Sequence, residues 1–315
     1  MAKDDQRFHE IARTVVGERI AAEGKRPARK DIMHHLLNAK DPVTGDRFSR
    51  GQLNVESSLL IAAGADTTSL TLAAAFFYLL HNPRVMDNLV KEIRSTCSSK
   101  DLDTIAPSWL IRLPYLRAVI DETLRLCPPV PSLLPREVLR GGAVIGSHYI
   151  PEGIIVGVPA YAIHRNPDYF PDPDRFYPER WIVSESGDAT QSASPDIPRN
   201  NYSVSVAREA FVAFSQGSRG CIGRQLAYYE LHTTLAITLS RFEIRLARDQ
   251  LTGNLMRDSQ DWRKGLGDIL DPKESEELKR GRRKERRRKE EFQIFDRFLS
   301  DRNGPMVEFR ERMET

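Results

Sequence analysis

Apolar residues recur every three to four positions along most of the chain, which is the spacing of one face of an α-helix. This pattern predicts helices over residues 4–22, 29–39, 52–80, 85–97, 113–126 and 222–239. The second helix should turn four apolar side chains inward, those of Ile32, Met33, Leu36 and Leu37. The third is apolar on nearly all sides, so we expect it to be buried and to cross the centre of the molecule.

Between Ser132 and Pro159 the pattern changes to short apolar segments separated by glycine-containing turns. Such segments predict small β-sheets, here with strands at 133–134, 138–139, 143–150 and 154–158. Two more strands are predicted where residues alternate, at 241–246 and around Val307 and Phe309. The Ser-rich stretch 184–200 is expected to be a mobile surface insert. The chain as a whole is predicted to be mainly α with small β sheets.

Composition narrows the class of protein. The chain has 315 residues, 40% of them hydrophobic, and a formal net charge of +3. That length allows one domain or two unequal ones, and the small charge gives no general attraction to nucleic acid. Three cysteines without paired spacing favour a reducing compartment over a disulfide framework. The adjacent pair His34–His35 is not expected to share a metal, because neighbouring helix residues point about 100° apart.

No signal peptide or membrane anchor is visible in the first seven residues. The most apolar stretch, residues 59–80, contains Asp66 and four serine or threonine side chains. A single Asp at the centre of a bilayer costs about 2.5–3.5 kcal/mol. We therefore expect this stretch to be a buried helix of a soluble protein.

Residues 214–223, Phe-Ser-Gln-Gly-Ser-Arg-Gly-Cys-Ile-Gly, carry the strongest chemical signal and are called the Cys221 loop below. They place Cys221 at a loop-to-helix junction, with Ile222 as the first helical residue. Unpaired amide N–H groups at a helix N-terminus favour a thiolate over a thiol. Three glycines allow positive φ and the close approach of a flat ligand: Gly217, Gly220 and Gly223. Arg219 could meet an anionic group of that ligand, and Phe214 could form one wall.

Three roles compete for a lone cysteine in such a loop. A nucleophile usually needs a histidine base, and the nearest histidine, His232, lies three turns along the helix. A buried structural cysteine would be the favoured interpretation of an isolated Cys-x-Gly. For the full ten-residue loop, a metal or heme ligand fits best.

Residues 63–68, Ala-Gly-Ala-Asp-Thr-Thr, interrupt the apolar third helix. The glycine loses about 1 kcal/mol of helix propensity, and an unpaired buried acid costs more. Threonine hydroxyls can bond to the carbonyl four residues earlier and bend the helix. The segment is either a tolerated polar kink or a site where a ligand lies against small residues.

The Cys221 loop matches Phe-x-x-Gly-x-Arg-x-Cys-x-Gly, the heme-binding signature of the cytochrome P450 superfamily, at every fixed position. Residues 63–68 resemble the oxygen-activating pattern of the same family. The resemblance implies heme b (iron protoporphyrin IX) as the cofactor, with the Cys221 thiolate as the axial ligand of its iron. It implies that Thr67 hydrogen-bonds dioxygen and that Asp66 relays protons. Further heme contacts are implied for Phe214, Arg219, Gly223, Ala63 and Gly64.

Glu122 and Arg125 are three residues apart and therefore neighbours on a helix face. By default such a pair is a surface ion pair worth less than about 1 kcal/mol. Prolines follow at 128–129 and Pro-Glu-Arg-Trp occurs at 178–181, and both resemble segments of the cytochrome P450 family. The resemblance implies that Glu122, Arg125 and Arg180 form a buried structural triad that locks the heme-bearing loop to the core.

Two basic residues are left with two interpretations each. Arg136 lies on the first predicted β segment, and the resemblance implies that it pairs with a heme propionate; an ordinary strand-edge arginine is the alternative. His164, in His-Arg-Asn-Pro, resembles a family segment with Asn in place of an acid. A propionate contact and a structural role both remain open for it.

The resemblance covers residues 1–249 and 296–311, which corresponds to the C-terminal portion only of such an enzyme, truncated at the N-terminus. Residues 250–295 are expected to be a charged inserted segment, helical or mobile, and 296–315 the closing strand and tail. Residues 279–289 hold nine basic side chains. Such a run is also typical of a nuclear signal, a nucleic-acid arm or an anionic-membrane patch. Flanking acids and the lack of interleaved aromatics favour a solvated charged helix.

The resemblance implies a heme-dependent monooxygenase, an oxidoreductase that inserts one oxygen atom of O2 into a small hydrophobic organic substrate. It implies NADPH-cytochrome P450 reductase as the electron donor and a fungal microsomal enzyme of secondary metabolism. The implied location is the cytosolic face of the endoplasmic reticulum membrane. Two alternatives are a heme-thiolate isomerase or synthase and a non-catalytic or heme-deficient fragment of such an enzyme.

Overall fold

The computed structural model describes residues 2–22, 30–96, 107–183, 202–246, 292, 294–295, 301–302, 305 and 307–312. The predicted insert at 184–200 and the basic run at 279–289 lie outside the described residues, as does nearly all of 250–295. The chain divides into two compact units, Met1–Thr67 and Thr68–Thr315.

The six helices predicted from periodicity are all present among nine α-helices in the described residues. The helices are α1 Ala2–Ala22, α2 Ile32–Asn38, α3 Arg50–His81, α4 Pro83–Thr96, α5 Pro107–Leu110, α6 Pro114–Leu126, α7 Ala160–Ile163, α8 Val204–Ala210 and α9 Arg224–Arg241. Local sequence explains several of the starts. Asp31 caps α2 by accepting a 2.9 Å hydrogen bond from His34 N. Prolines at the first positions of α4 and α6 supply a helical φ without needing a hydrogen-bond partner.

The described strands form four two-stranded antiparallel pairs. These are β1 Arg136–Glu137 with β4 Ile155–Val156, β2 Ala143–Ile145 with β3 His148–Ile150, β5 Phe242–Leu246 with β8 Val307–Glu311, and β6 Ile294–Phe295 with β7 Asp301–Arg302. The β structure predicted at 143–150 is confirmed as two strands, β2 and β3, that pair around a turn at Gly146, and the two late strands are confirmed. The strands predicted at 133–134 and 138–139 are wrong. Prolines at 131 and 135 cannot donate to a ladder, so the strand forms instead at 136–137.

The core of the second unit lies between the C-terminal half of α3 and helices α4, α6 and α9. Its fully buried side chains include Leu79, Leu89, Ile93, Leu116, Leu124 and Leu235. A second cluster of buried side chains surrounds Trp181 and contains Phe170, Tyr202 and Val204. These two clusters fix α6 and the segment around Trp181, which support the site described below.

Burial of α2 and α3 differs from the prediction. Within the described part of the first unit, α2 has no buried residue, and Ile32 is 53% exposed. Leu70 and Leu79 of α3 are buried, but Val55 is 67% exposed. A unit of 67 residues is too small to cover a long apolar helix on all sides. The expectation of a fully buried α3 is therefore wrong for its first half.

By length and composition α3 could also cross a membrane, alone among the described helices. An 18-residue window in it has a mean hydropathy of 1.5, and 22% of that window is buried. The core helix of a protein that never enters a bilayer satisfies the same criteria.

Candidate functional site

Cys221 is exposed, in the loop between a 3-10 turn at Gly217–Arg219 and the start of α9. The helix begins at Arg224 with Gly223 as its N-cap, and Ala227 N donates to Gly223 O at 2.9 Å. The prediction that Ile222 opens the helix is therefore wrong by two residues. Ile222 is 95% exposed, so no packing holds this β-branched residue in a helical turn.

Backbone hydrogen bonds close the Cys221 loop. Cys221 N donates to Phe214 O at 2.8 Å and Gly220 N donates to Gly217 O at 3.0 Å. Of the three glycines expected to take positive φ, only Gly217 does, at +67°. A Cβ on Gly220 would lie 3.3 Å from Gly217 O, so close packing, not positive φ, is what favours glycine there. Ser215, which is not a glycine, takes φ +56°.

The ring of Phe214 packs against a tyrosine of α9. Its ring centroid lies 5.1 Å from that of Tyr228. Tyr228 donates a 2.6 Å hydrogen bond to Asp121 Oδ1, and Arg117 pairs with the other oxygen of Asp121 at 2.8 Å. Burial raises the pKa of Tyr228, so the phenol keeps its proton and remains a donor. The loop is thereby joined to α6 as well as to α9.

Arg219 and Arg136 are exposed cations without an acidic partner in the described residues. Arg136 lies on β1 and donates to its own neighbour, Pro135 O, at 2.8 Å. Arg219 ends the 3-10 turn two residues before Cys221, and its guanidinium makes no ion pair or hydrogen bond with described residues. Both side chains can therefore bind the carboxylates of an external ligand.

Glu122, Arg125 and Arg180 meet in the core, and we call them the charge cluster. Arg125 holds both carboxylate oxygens of Glu122, with Nε–Oε2 and Nη2–Oε1 distances of 2.8 Å. Arg180 Nε donates to Oε1 at 3.0 Å and Trp181 Nε1 donates to Oε2 at 3.0 Å. The side chain of Glu122 is 0% exposed. Burial alone would raise the pKa of Glu122, but the two guanidinium groups lower it to about 2.

The remaining guanidinium donors of the charge cluster bind backbone carbonyls of residues 164–175. Arg125 donates to His164 O at 2.8 Å, Pro173 O at 2.6 Å and Arg175 O at 3.1 Å. Arg180 donates to Pro171 O at 3.0 Å and to Asp172 O at 3.4 Å. Asp172 takes φ +47°, which is uncommon for a residue other than glycine. The two arginines thus organise an irregular loop that has no ladder of its own.

His164 is a residue whose role the sequence left open. It is 0% exposed, and both ring nitrogens face backbone groups. Nδ1 lies 3.1 Å from Arg125 O, and Val212 N donates to Nε2 at 2.9 Å. Neither nitrogen is left for a propionate, so the structural interpretation holds. The sequence motif His-Arg-Asn-Pro identified His164 as a candidate, but it did not predict that its ring would bind Arg125 O and Val212 N.

Residues 63–67 of the polar segment of α3 belong to the first unit, and Thr68 begins the second. Thr67 Oγ1 donates to Ala63 O at 2.7 Å, the i−4 bond expected of a helical threonine. Ala63, Gly64 and Asp66 are exposed on the helix. A Cβ added to Gly64 would meet nothing within 4 Å, so space for a ligand exists on this face.

The donor set around Cys221 limits which metal group would fit. No group of three or more His, Cys, Asp or Glu side chains in the described residues could hold a metal ion. A metal at Cys221 would need its other ligands from a carrier molecule. In the described residues, the exposed thiol of Cys221 has no second metal ligand near it and Arg219 has no acidic partner. This arrangement fits a metal held in an anionic macrocycle, as in heme.

Comparisons with known proteins agree with this geometry. Residues 1–260 match the family model described as Cytochrome P450. Cytochrome P450 monooxygenase apf8 of Gibberella fujikuroi is 35% identical over 282 residues, covering 90% of this chain and 66% of the relative. Cytochrome P450 monooxygenase atnE of Emericella nidulans is 42% identical over 211 residues, covering 67% of this chain and 39% of the relative. The chain thus spans between two fifths and two thirds of the length of these relatives.

Solved structures show the same fold. The crystal structure of a cytochrome P450, CYP102L1, superposes with a TM-score of 0.69 at 21% identity, over 99% of this chain and 57% of the other. The cytochrome P450DA heme domain gives a TM-score of 0.64 at 23% identity, over 97% of this chain and 53% of the other. At this identity the likeness concerns the fold alone.

Proposed function

The chain belongs to the cytochrome P450 family. On that premise we propose that it functions as a heme-dependent monooxygenase. The reaction would insert one oxygen atom of O2 into a small hydrophobic organic substrate. The observation that carries this proposal is the exposed Cys221 in a hydrogen-bonded loop, beside Arg219, which has no acidic partner in the part of the chain that the structure describes.

Heme b would be held by four groups of the second unit. The Cys221 thiolate would ligate the iron, and Arg219 and Arg136 would pair with the propionates by charge-assisted hydrogen bonds. Phe214, braced by Tyr228, would shield the thiolate from water. Gly220 and Gly223 keep the backbone free of side chains near the sulfur; a Cβ on Gly223 would lie 3.8 Å from Cys221 Sγ.

When bound, heme supplies oxygen activation, and a thiolate ligand favours O–O bond cleavage. Asp66 is exposed on α3, and we propose for it the proton-relay role that the family resemblance implies. Thr67 Oγ1 now donates to Ala63 O. A hydroxyl has one proton to donate, so Thr67 must rotate away from Ala63 before it can donate to a ligand. Gly64 and Ala63 leave room for that ligand.

The remaining assignments extend from the family and from the fungal relatives. We propose NADPH as the electron source through cytochrome P450 reductase, and a role in secondary metabolism. We also propose that the protein acts at the cytosolic face of the endoplasmic reticulum membrane.

The absorption spectrum of the reduced, carbon-monoxide-bound chain tests this function. A thiolate ligand shifts the Soret band strongly to the red, and we expect that band from the chain reconstituted with heme. Cys221→Ser should abolish the red-shifted band because serine does not supply a thiolate.

Cys127→Ser is the matched control, since Cys127 is buried at the end of α6. It should keep the band. A histidine-like band in the unaltered chain, or loss of the band in Cys127→Ser alone, would overturn the assignment of Cys221.

A further inference from the structure

His164 connects two parts of the chain that are far apart in sequence. One ring nitrogen faces Arg125 O at the C-terminal end of α6, and the other accepts from Val212 N, nine residues before Cys221. Because Nε2 accepts from an N–H group, the proton must lie on Nδ1, which then donates to the carbonyl. The two contacts together require one tautomer of a neutral imidazole.

Aromatic packing forms a second connection between the same parts. The ring of Phe211 stacks on His164 with centroids 5.3 Å apart and planes 15° apart. The same ring also contacts Trp181, whose centroid is 5.2 Å away and whose Nε1 donates to Glu122. Residues 211–212 are therefore attached to the charge cluster through a hydrogen bond and through a ring contact.

From Val212 the contacts continue to the cysteine. Ser215 N donates to Val212 O at 2.9 Å, and Cys221 N donates to Phe214 O at 2.8 Å. A displacement of Val212 would move the turn at 212–215, and with it the carbonyl that holds the amide of Cys221. The position of the thiol therefore depends on where His164 holds Val212.

We propose that His164 is a positioning residue: through Val212 it aligns the Cys221 loop with the charge cluster, so that the thiolate points at the heme iron. The consequence for the thiolate rests on the function proposed above; the consequence for Val212 does not. Burial lowers the pKa of His164 to about 3, helped by the nearby Arg125, so the ring stays a neutral acceptor at physiological pH.

Two substitutions separate the contacts of the ring. In His164→Gln the amide oxygen can take the place of Nε2 and still accept from Val212. In His164→Asn the shorter side chain can replace the Nδ1 donor but does not reach Val212. We expect the ratio of red-shifted to histidine-like carbon-monoxide band to fall at least about fivefold in His164→Asn, and to be largely restored in His164→Gln.

Amide hydrogen exchange of Val212 gives a readout that needs no heme. Exchange at Val212 should accelerate in His164→Asn and stay slow in His164→Gln. The 15N spectrum of the unaltered chain should show His164 protonated on Nδ1. Equal protection of Val212 in both variants, or a proton on Nε2, would overturn the proposal.

His232 provides the control. It is also 0% exposed and also binds a backbone carbonyl, Tyr228 O at 2.6 Å. Among the described residues, its hydrogen bond and its ring contact are both with Tyr228 of the same helix, not with Val212. His232→Gln should change neither the band ratio nor exchange at Val212. If the unaltered chain gave no red-shifted band while Val212 followed the expected pattern, the proposed function would fail and the positioning of Val212 would stand.

Discussion

Ser215 holds a backbone conformation that favours glycine. Its φ of +56° lies in the left-handed region, which costs a non-glycine residue roughly 1–2 kcal/mol. The turn is imposed by its surroundings, since Ser215 N must reach Val212 O while Phe214 O meets Cys221 N. The strain is therefore stored within the Cys221 loop, which is typical of functional sites.

Ser215→Gly should raise the free energy of unfolding by about 0.5–1 kcal/mol, because the relieved strain exceeds the added entropy of the unfolded chain. Urea unfolding followed by circular dichroism measures the change. Ser218→Gly is the matched control, because Ser218 lies in the adjacent 3-10 turn without positive φ. It should lower stability slightly, and a gain at both positions would contradict the strain at Ser215.

The 3-10 turn at 178–181 is tied to α6 by the charge cluster. The single carboxylate of Glu122 accepts hydrogen bonds from four groups: the side chains of Arg125, Arg180 and Trp181, and the backbone N–H of Tyr177. Arg125 adds bonds to three carbonyls, so its planar fork of donors satisfies groups that no helix or sheet supplies. Without Arg125, the carbonyls of His164, Pro173 and Arg175 would lose these donors.

Arg125→Lys should destabilise the chain by about 3–5 kcal/mol, although it keeps the charge, because a lysine cannot hold Glu122 at two points and leaves buried acceptors unpaired. Arg84→Lys is the comparison, since Arg84 pairs with Glu179 of the same turn but is 58% exposed. That change should cost less than about 1 kcal/mol. If urea unfolding gave the two variants similar losses in the free energy of unfolding, burial of the charge cluster would contribute nothing to stability.

At the scale of the whole molecule, two buried histidines make stability depend on pH. Burial lowers the pKa of His164 to about 3 and that of His232 to about 4, against about 6.5 in an unfolded chain. Between these values the unfolded chain binds the protons and the folded chain does not. Stability is therefore complete above pH 6.5 and falls as the pH is lowered, by about 1.4 kcal/mol per pH unit and per histidine.

Removing one histidine isolates this effect. His232→Gln should reduce the pH slope of the free energy of unfolding by about one proton between pH 4.5 and 6. The raised pKa values of Asp121 and Glu92 act in the opposite direction, but both chains contain them, so their contribution cancels in the comparison. An unchanged slope would mean that His232 is accessible to protons in the folded chain.

Secondary structure that depends on residues close together in the chain could be predicted from the sequence. Helices α1, α3, α4, α6 and α9 followed from spacing that repeats within each helix. The β2–β3 hairpin followed from alternation around a glycine turn, where Gly146 takes φ +61°. The errors came where the outcome depended on distant residues, as in the start of α9 at Arg224 and the exposure of Val55 in α3.

The sequence by itself determined that Cys221 stands in a glycine-rich loop before a helix, because such chemistry depends on residue type and close spacing. The tertiary structure alone decided three other matters: which half of α3 is buried, that Ser215 adopts positive φ, and that His164 faces two backbone groups. The burial of α3 and the contacts of His164 depend on residues far apart in the chain, such as the 39 positions between Arg125 and His164 and the 48 between His164 and Val212. Pairings over such separations are set when the core closes, and local spacing carries no record of them.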